Sequence, residues 1–295
     1  MQTRSLETLV RIHQVQSFSR AAELQNMTLS ALSMQMKALE TRLGVQLFDR
    51  SFRPPKLTPL GRRIAQQARR VVEQQRLLTG LCGQAGGLVG LFRLGVISSV
   101  AVRLLPGFLR QSAERAPQAS FEISIGLSEH LGEQVRLGLV DAAVVTRVPG
   151  PAQGLAFETI GREEMALAVP AAHAGTPTGA LPRRLPFIHF RPSSGIGRLI
   201  ARSLENLAEP PRRTIILDSL EASVEFVKAG LGYTLLPLPD IARCADARVH
   251  VHAGRPQAMY RELALVSRRD TPHGAWVAHV ADGFRQVIAP ETDDG

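Results

Sequence analysis

The stretch TLSALSMQMKALETRLG, residues 28–44, decides how the N-terminal part of the chain is read. Thr28 is a good helix cap and Gly44 suits the left-handed turn that ends a helix, so the spacing predicts a helix over 29–43. At about 100° per residue, Leu32, Met36, Leu39 and Leu43 share one narrow arc, which predicts a core-facing stripe. Ser30, Ser33, Met34, Lys37 and Thr41 fall on the opposite face. A plain solvated face is one reading, but such faces usually carry more Glu and Lys. Short hydroxyls, one flexible apolar side chain and one cation suit a helix lying in a major groove, which is wide enough to admit it.

Upstream, Leu6, Leu9, Val10 and His13 recur at helical spacing after Ser5, a candidate cap. Ser19 is a candidate cap for a short second helix with Ala21, Ala22 and Leu24, whose small residues permit close helix approach. Downstream, residues 45–50 read as an apolar, strand-like stretch. It leads into a loop stiffened by Pro54 and Pro55 and bearing Arg50, Arg53 and Lys56. Such cations suit phosphate contacts, which position a protein without reading sequence. Thr58-Pro59 then starts a long helix, 60 to about 82. Its apolar stripe is Ile64, Ala68, Val71, Val72, Leu78 and Leu81, with Arg62, Arg63, Arg69, Arg70 and Arg76 at polar positions serving solubility or phosphate contact. Alone between domains this stripe would stay wet, and pairing with a second copy would bury it. Gly83, Gly86, Gly87 and Gly90 predict a flexible hinge after it.

Charge agrees with pattern. Residues 1–90 hold 13 Lys/Arg against 5 Asp/Glu and so carry +8 of the formal net charge of +9. A positive excess confined to one end is the electrostatic footprint of a part that meets polyphosphate.

Residues 3–65 resemble the winged helix-turn-helix of the LysR-type transcriptional regulators. The likeness rests on Phe18-Ser19-Arg20-Ala21-Ala22, Ser33, Lys37, Leu39-Glu40, Leu43-Gly44-Val45, Leu47-Phe48-Asp49-Arg50, Leu57-Thr58 and Gly61. The helix from Thr58 resembles the family's dimerising linker helix. Two departures stand out. Leu29 occupies the place of a Gln that often contacts DNA in the family, and Gln25 the place of a usual apolar residue. Leu29 is left either to touch a thymine methyl or to pack.

From residue 91 the pattern alternates strand and helix, which predicts mostly parallel sheets covered by helices. Strands are expected near 92–97, 121–125, 141–145, 164–169, 187–190, 214–217, 234–236 and 262–266. Helices are expected near 128–139, 196–207, 220–229 and 272–288, besides one capped by Ser98-Ser99 that includes Leu104 to Leu109. Two such sheets would join near 160–163 and 260–262. This arrangement resembles the family's periplasmic-binding-protein-like effector domain over about 91–290, with Arg93-Leu94-Gly95, Leu104-Leu105-Pro106, Gly138-Leu139-Val140-Asp141 and Lys228-Ala229-Gly230-Leu231-Gly232 as local marks.

The fold class expected is α/β, with a winged helix-turn-helix over 1–60, a linker helix and hinge over 61–90, and a two-lobed effector domain over 91–295. Lobe I covers about 91–161 and 262–290, and lobe II about 162–261. Ligands of open α/β sheets sit at the carboxyl ends of strands. The candidates there are Ser98, Ser99, Ser128, Thr146, Arg147, Ser193 and Ser194, where helix N-termini and an arginine would hold a small anion. Capping alone is the structural alternative for Ser98, Ser128 and Ser193. The DNA-binding candidates are Thr28, Ser30, Ser33, Met34, Lys37, Arg50, Arg53 and Lys56.

Other classes are excluded by what the 295 residues lack. There is no GxSxG, Walker A or HExxH, and Ser193-Ser194-Gly195-Ile196-Gly197 fits no nucleotide-binding fingerprint, so no catalysis, cofactor or metal is expected. His250 and His252 alternate on a possible strand with no further ligand in sequence. Cys82 and Cys244 are two lone cysteines, either a redox-sensing pair or small hydrophobes in a reducing cytosol. No run of eighteen apolar residues is present, and the first ten residues are too polar for a signal peptide, so a cytoplasmic protein with no membrane partner is expected. The partners expected are double-stranded promoter DNA, a small effector and further copies of the chain as homodimer or homotetramer. The rival reading is a solute-binding protein without DNA function.

Overall fold

The computed structural model describes residues 3–81, 88–148, 150, 154–205, 209–252 and 259–288. Cys82, the glycines Gly83, Gly86 and Gly87, and the side chains of Arg76 and Leu81 lie outside that description. The backbone separates into two compact units, Met1–Gly90 and Leu91–Gly295.

The first unit comprises α1 (Thr3–Val15), α2 (Phe18–Glu23), α3 (Leu29–Leu43), the two-residue strands β1 (Phe48–Asp49) and β2 (Lys56–Leu57), and α4 (Pro59–Leu81). Its core gathers Leu6, Leu9 and Ile12 of α1, Ala21 and Ala22 of α2, Leu32, Met36 and Leu39 of α3, and Leu47 and Phe48. Each large apolar side chain buried this way contributes about 1.5–3 kcal/mol. The Thr28 hydroxyl accepts the Ala31 N–H at 3.1 Å, and Gly44 closes α3 at φ 63°. β1 and β2 pair antiparallel, Phe48 opposite Leu57, and frame the proline loop as a wing.

Two caps differ from expectation. Ser5 lies inside α1, buried, where its Oγ accepts from Arg42 Nη2 at 3.3 Å. Ser17, not Ser19, caps α2: Gln16 turns the chain at φ 52°, leaving Ser17 extended with its Oγ 3.3 Å from the Arg20 N–H. The linker stripe is also not wholly wet. Ala65, Ala68 and Val72 of α4 are buried in this unit's own core, while Leu60, Val71 and Leu78 are exposed.

The second unit opens with β3 (Gly90–Val96), α5 (Ser98–Arg103), α6 (Leu105–Arg115), β4 (Ala119–Ile125), α7 (Ser128–Leu137), β5 (Ala142–Thr146) and β6 (Leu155–Pro170). It continues with α8 (Leu181–Arg184), β7 (Phe187–Phe190), α9 (Gly195–Glu205), β8 (Thr214–Leu217), α10 (Leu220–Lys228), β9 (Tyr233–Pro237), α11 (Leu238–Cys244), β10 (Val249–His252), β11 (Met259–Arg268) and α12 (Gly274–Ile288). The strands follow one another as β4-β3-β5-β11-β6-β9-β7-β8, with β10 on β6. The sheet is mixed rather than mostly parallel. β3/β5, β7/β8 and β7/β9 run parallel, whereas β5/β11, β11/β6, β6/β9 and β6/β10 run antiparallel. The reason is that β6 and β11 each cross from one side of the unit to the other, and alternation alone does not reveal a crossing strand.

Two cores flank this crossing. One holds Phe92, Leu94, Val96, Phe108, Leu131, Val144, Leu263 and Phe284. The other holds Leu167, Phe187, Ile188, Ile200, Val224, Leu235 and Ile241. The expected helix after Ser98 is split at Leu104 into α5 and α6. Ser219 caps α10, accepting the Ala222 N–H at 3.1 Å.

Gly61, in the first turn of α4, packs its Cα against the wing, where a Cβ would stand 2.2 Å from the Leu47 carbonyl oxygen and 3.1 Å from Leu57. Gly61→Ala is therefore expected to cost about 1–3 kcal/mol, the usual range for overpacking. Urea unfolding of the N-terminal transition should show a lower midpoint, with the transition of the second unit unmoved.

Candidate functional site

In the N-terminal unit, α3 presents one open face. Ser30, Ser33 and Lys37 are exposed, Met34 is 71% exposed and Leu29 48%. Thr28 is exposed too, and its oxygen accepts the Ala31 N–H as the cap. The inner side of α3 is fixed by a polar contact missed at the sequence level. Thr8, fully buried on α1, places its hydroxyl 2.8 Å from Gln25 Oε1 and 2.9 Å from Gln35 Oε1. Gln25 thus stands, half-buried, beside the buried Thr8 hydroxyl rather than on an apolar wall.

The wing cations differ in their surroundings. Arg50 Nη2 pairs with Glu40 Oε2 at 2.8 Å, and Glu40 Oε1 accepts the backbone N–H groups of Leu47 (2.8 Å) and Phe48 (3.0 Å). Arg50 therefore helps hold the wing to α3. Lys56 Nζ sits 4.6 Å from the Phe52 ring centroid, a cation–π contact that steadies both. Arg53 is exposed. Arg62 of α4 donates to the Leu57 carbonyl at 2.8 Å, so it too is partly structural. Beside α4 an apolar hollow of about 340 Å³ is lined by Leu6, Leu43, Leu60, Ile64 and Val71, among others.

In the second unit a cavity of about 40 Å³ lies at the carboxyl ends of β3 and β5. Ser98, Ser99, Ser128, Thr146 and Ser194 line it, with Phe190, Ile196 and Leu220 among its apolar walls. Ser98 and Ser128 cap nothing, since Ile97 and Leu127 hold the cap positions without a side-chain bond. Ser128 Oγ instead accepts the Thr146 N–H at 3.2 Å. Ser194 does cap α9, taking the Gly197 N–H at 2.9 Å.

Arg147 and Ser193 are not among the residues lining this cavity. Successive strand residues point to opposite faces, so with Thr146 turned inward Arg147 turns away. Its Nη1 pairs with Glu262 Oε1 at 3.0 Å, and its guanidinium lies 6.0 Å from the Phe157 ring centroid. The Thr159 hydroxyl and then Arg147 lower the Glu262 carboxyl pKa, which keeps that pair ionised. Ser193 is exposed, one residue before the capping position.

Two further features were missed by sequence reasoning. A Cβ on Gly195 would lie 2.9 Å from Thr146 Cβ and 3.0 Å from Ser128 Oγ, so glycine there lets α9 close on β5 and α7. The Ser-Ser-Gly-Ile-Gly run carried that signal. Behind Ser99 lies Arg261, fully buried, whose Nη1 donates to Ser99 Oγ at 2.9 Å. Nothing local in the β11 sequence marks it.

The remaining candidates carry less. His250 and His252 meet edge to face on β10 with ring centroids 4.6 Å apart, and among the described residues no group of three or more His, Cys, Asp or Glu could hold a metal ion. Cys244 sits half-buried on α11, where burial pushes its thiol pKa up. No described helix is long and apolar enough to cross a membrane.

With this geometry established, likeness to known proteins is informative. Residues 3–62 match the family model described as bacterial regulatory helix-turn-helix protein, lysR family, and residues 85–289 match the LysR substrate binding domain. A protein of Mycobacterium leprae named probable hydrogen peroxide-inducible genes activator is 31% identical over 239 residues, covering 79% of this chain and 76% of that protein. A solved structure of full-length OxyR from Pseudomonas aeruginosa, a cysteine-to-aspartate variant, superposes with a TM-score of 0.72 at 26% identity, covering 100% of this chain and 99% of that one. Full-length CbnR complexed with its target DNA shares the fold at a TM-score of 0.57 and 20% identity, covering 97% of this chain and 100% of that one.

The Glu40 geometry separates two substitutions. Glu40→Ala strips a largely buried acceptor, 11% exposed, from two backbone N–H groups and should destabilise the N-terminal unit by about 1–3 kcal/mol. Arg50→Ala removes a half-exposed partner and should cost less than about 1 kcal/mol. Thermal unfolding of the two variants should rank them in that order.

Proposed function

The chain belongs to the LysR family of bacterial transcriptional regulators, and we propose that its promoter binding is set by a small anionic effector held in the cavity beside Ser99. The family membership makes it a DNA-binding regulator with an effector domain, and its relatives are regulators, not enzymes. Residues 1–60 form the DNA-binding domain, 61–90 the linker helix and hinge, and 91–295 the effector domain. In this reading α3 lies in the major groove and reads bases with Ser30, Ser33 and Met34. Thr28, Lys37, Arg50, Arg53 and Lys56 contact the backbone or steady those that do.

The observation that carries the effector reading is the convergence of Ser98, Ser99, Ser128, Thr146 and Ser194 on one cavity. The N-termini of α7, α9 and α10 open there through Ser128, Gly195 and Leu220. Backbone N–H groups and helix dipoles at such ends favour negative charge. Arg147 plays no part in it. The ligand bridges two lobes, and its differential affinity for their arrangements shifts the regulator between states. The exposed Leu60, Val71 and Leu78 of α4 support pairing of linker helices in a homodimer, from which a homotetramer is assembled in the cytoplasm. The chain has two cysteines, and Cys244 is not among the residues lining the cavity. Its raised thiol pKa disfavours the reactive thiolate, so peroxide sensing by cavity cysteines is not the reading preferred.

A gel-shift titration on the DNA upstream of the gene tests both halves. Lys37→Ala should weaken binding about tenfold and reduce the salt slope by about one unit. Ser99→Ala should leave DNA affinity unchanged and blunt the response to small carboxylates. If Ser99→Ala responds as fully as the unaltered chain, the cavity is not the effector site.

A further inference from the structure

Arg261 is the largest fully buried side chain described, at 0% exposure. Its guanidinium is held from three sides. Nε donates to Glu163 Oε2 at 2.8 Å, Nη2 donates to the same oxygen and to Asp240 Oδ2 at 3.2 Å, and Nη1 donates to Ser99 Oγ at 2.9 Å. Arg103 closes the ring from the other side. It donates to Glu163 Oε1, and its Nε lies 3.4 Å from Asp240 Oδ1. Two arginines and two carboxylates leave the cluster neutral, so it exerts little long-range field on the cavity.

Its effect is directional instead. A guanidinium has five donors and no acceptor, so the Ser99 oxygen must be the acceptor in the bond from Arg261. The Ser99 proton has to point elsewhere. No acceptor for it is found among the described residues, and Ser99 lines the cavity. We propose that Arg261 is a positioning residue for the effector: it fixes the Ser99 hydroxyl as a donor directed into the cavity, and so selects ligands that present an acceptor oxygen there. The proposal rests on the reading of this cavity as the effector site. It also ties that hydroxyl to both lobes. Ser99 and Arg103 sit on α5 beside the first core, Asp240 on α11 beside the second, and Glu163 and Arg261 on the two crossing strands. A ligand that pulls on Ser99 therefore loads the joint between lobes.

The test is a double-mutant cycle on the full chain, read by isothermal titration with acetate, and with ethylammonium as a probe without an acceptor. Ser99→Ala and Arg261→Lys should each weaken acetate binding about tenfold, the scale of one charge-assisted hydrogen bond. In the Ser99→Ala background, Arg261→Lys should weaken it no further. Should Arg261→Lys not fold, the charge-balanced pair Arg261→Met with Glu163→Met replaces it, since apolar side chains of similar size often tolerate that exchange. An equal loss in both backgrounds would show that Arg261 only supports the fold, and overturns the proposal. Binding of ethylammonium with acetate rejected overturns the donor assignment while keeping the cavity as the effector site. Failure of both probes to bind the unaltered chain sinks both readings together.

Discussion

The second unit depends on two strands lying side by side. β6 and β11 pair antiparallel from Leu155 opposite Arg268 to Met165 opposite Met259, with a register shift between Leu263 and Ala264. Their ends belong to different cores: Leu263, Leu265 and Val266 pack in one, and Met165, Leu167 and Val169 in the other. Neither core can be rebuilt without this ladder, because each uses it as a wall. A two-stranded neck is stiff along its length and softer in twist, which is the geometry of a hinge. The cavity connects to that neck through the bond from Arg261 to Ser99.

The cluster around Arg261 makes sense only against its cost. Burying charge is expensive, and an ion pair in a dry interior is often no more stable than apolar residues of the same volume. Asp240 shows how dry the site is. Burial raises its carboxyl pKa even though Arg261 and Arg103 pull the other way. Stability alone therefore gives no reason for two arginines and two carboxylates at this point. A need for one hydroxyl in one orientation gives a reason, because a planar fork held by two carboxylates has no freedom to turn.

How far the sequence could be read follows from the range of the interactions involved. Helix α3, its Thr28 cap and its Gly44 end were legible, because each depends on residues within a turn or two. So was the meeting of Ser99, Ser128, Thr146 and Ser194, because strand ends in open α/β sheets converge wherever the chain goes between them. Arg147 departs from expectation by a single position, since alternation turns Thr146 and Arg147 to opposite faces and the sequence does not say which faces in. Ser17 was passed over for Ser19 because the left-handed Gln16 that ends α1 is not a glycine. Arg261 was invisible. Its partners lie 98 residues away at Glu163 and 162 away at Ser99, and no periodicity encodes such a pairing.

Several of the N-terminal cations are also held by contacts within the unit. Arg50 is answered by Glu40, Arg20 by Glu23 at 2.9 Å, and Arg62 is engaged with the Leu57 carbonyl. These contacts orient the cations without removing their charge, and Lys37, Arg42, Arg50, Arg53 and Lys56 are all exposed on α3 and the wing. Glu40 binds both Arg50 and the backbone at Leu47 and Phe48, so helix and wing move as one body. In the proposed binding mode, reading bases falls to short side chains that cannot reach around a misplacement. Thr28 spends one lone pair on the Ala31 N–H and keeps a proton to donate and a second lone pair to accept. Met34, 71% exposed and polarisable, is the side chain on this face best matched to a thymine methyl. A face built this way discriminates by fit more than by long reach, and fit requires the rigid support that Glu40 supplies.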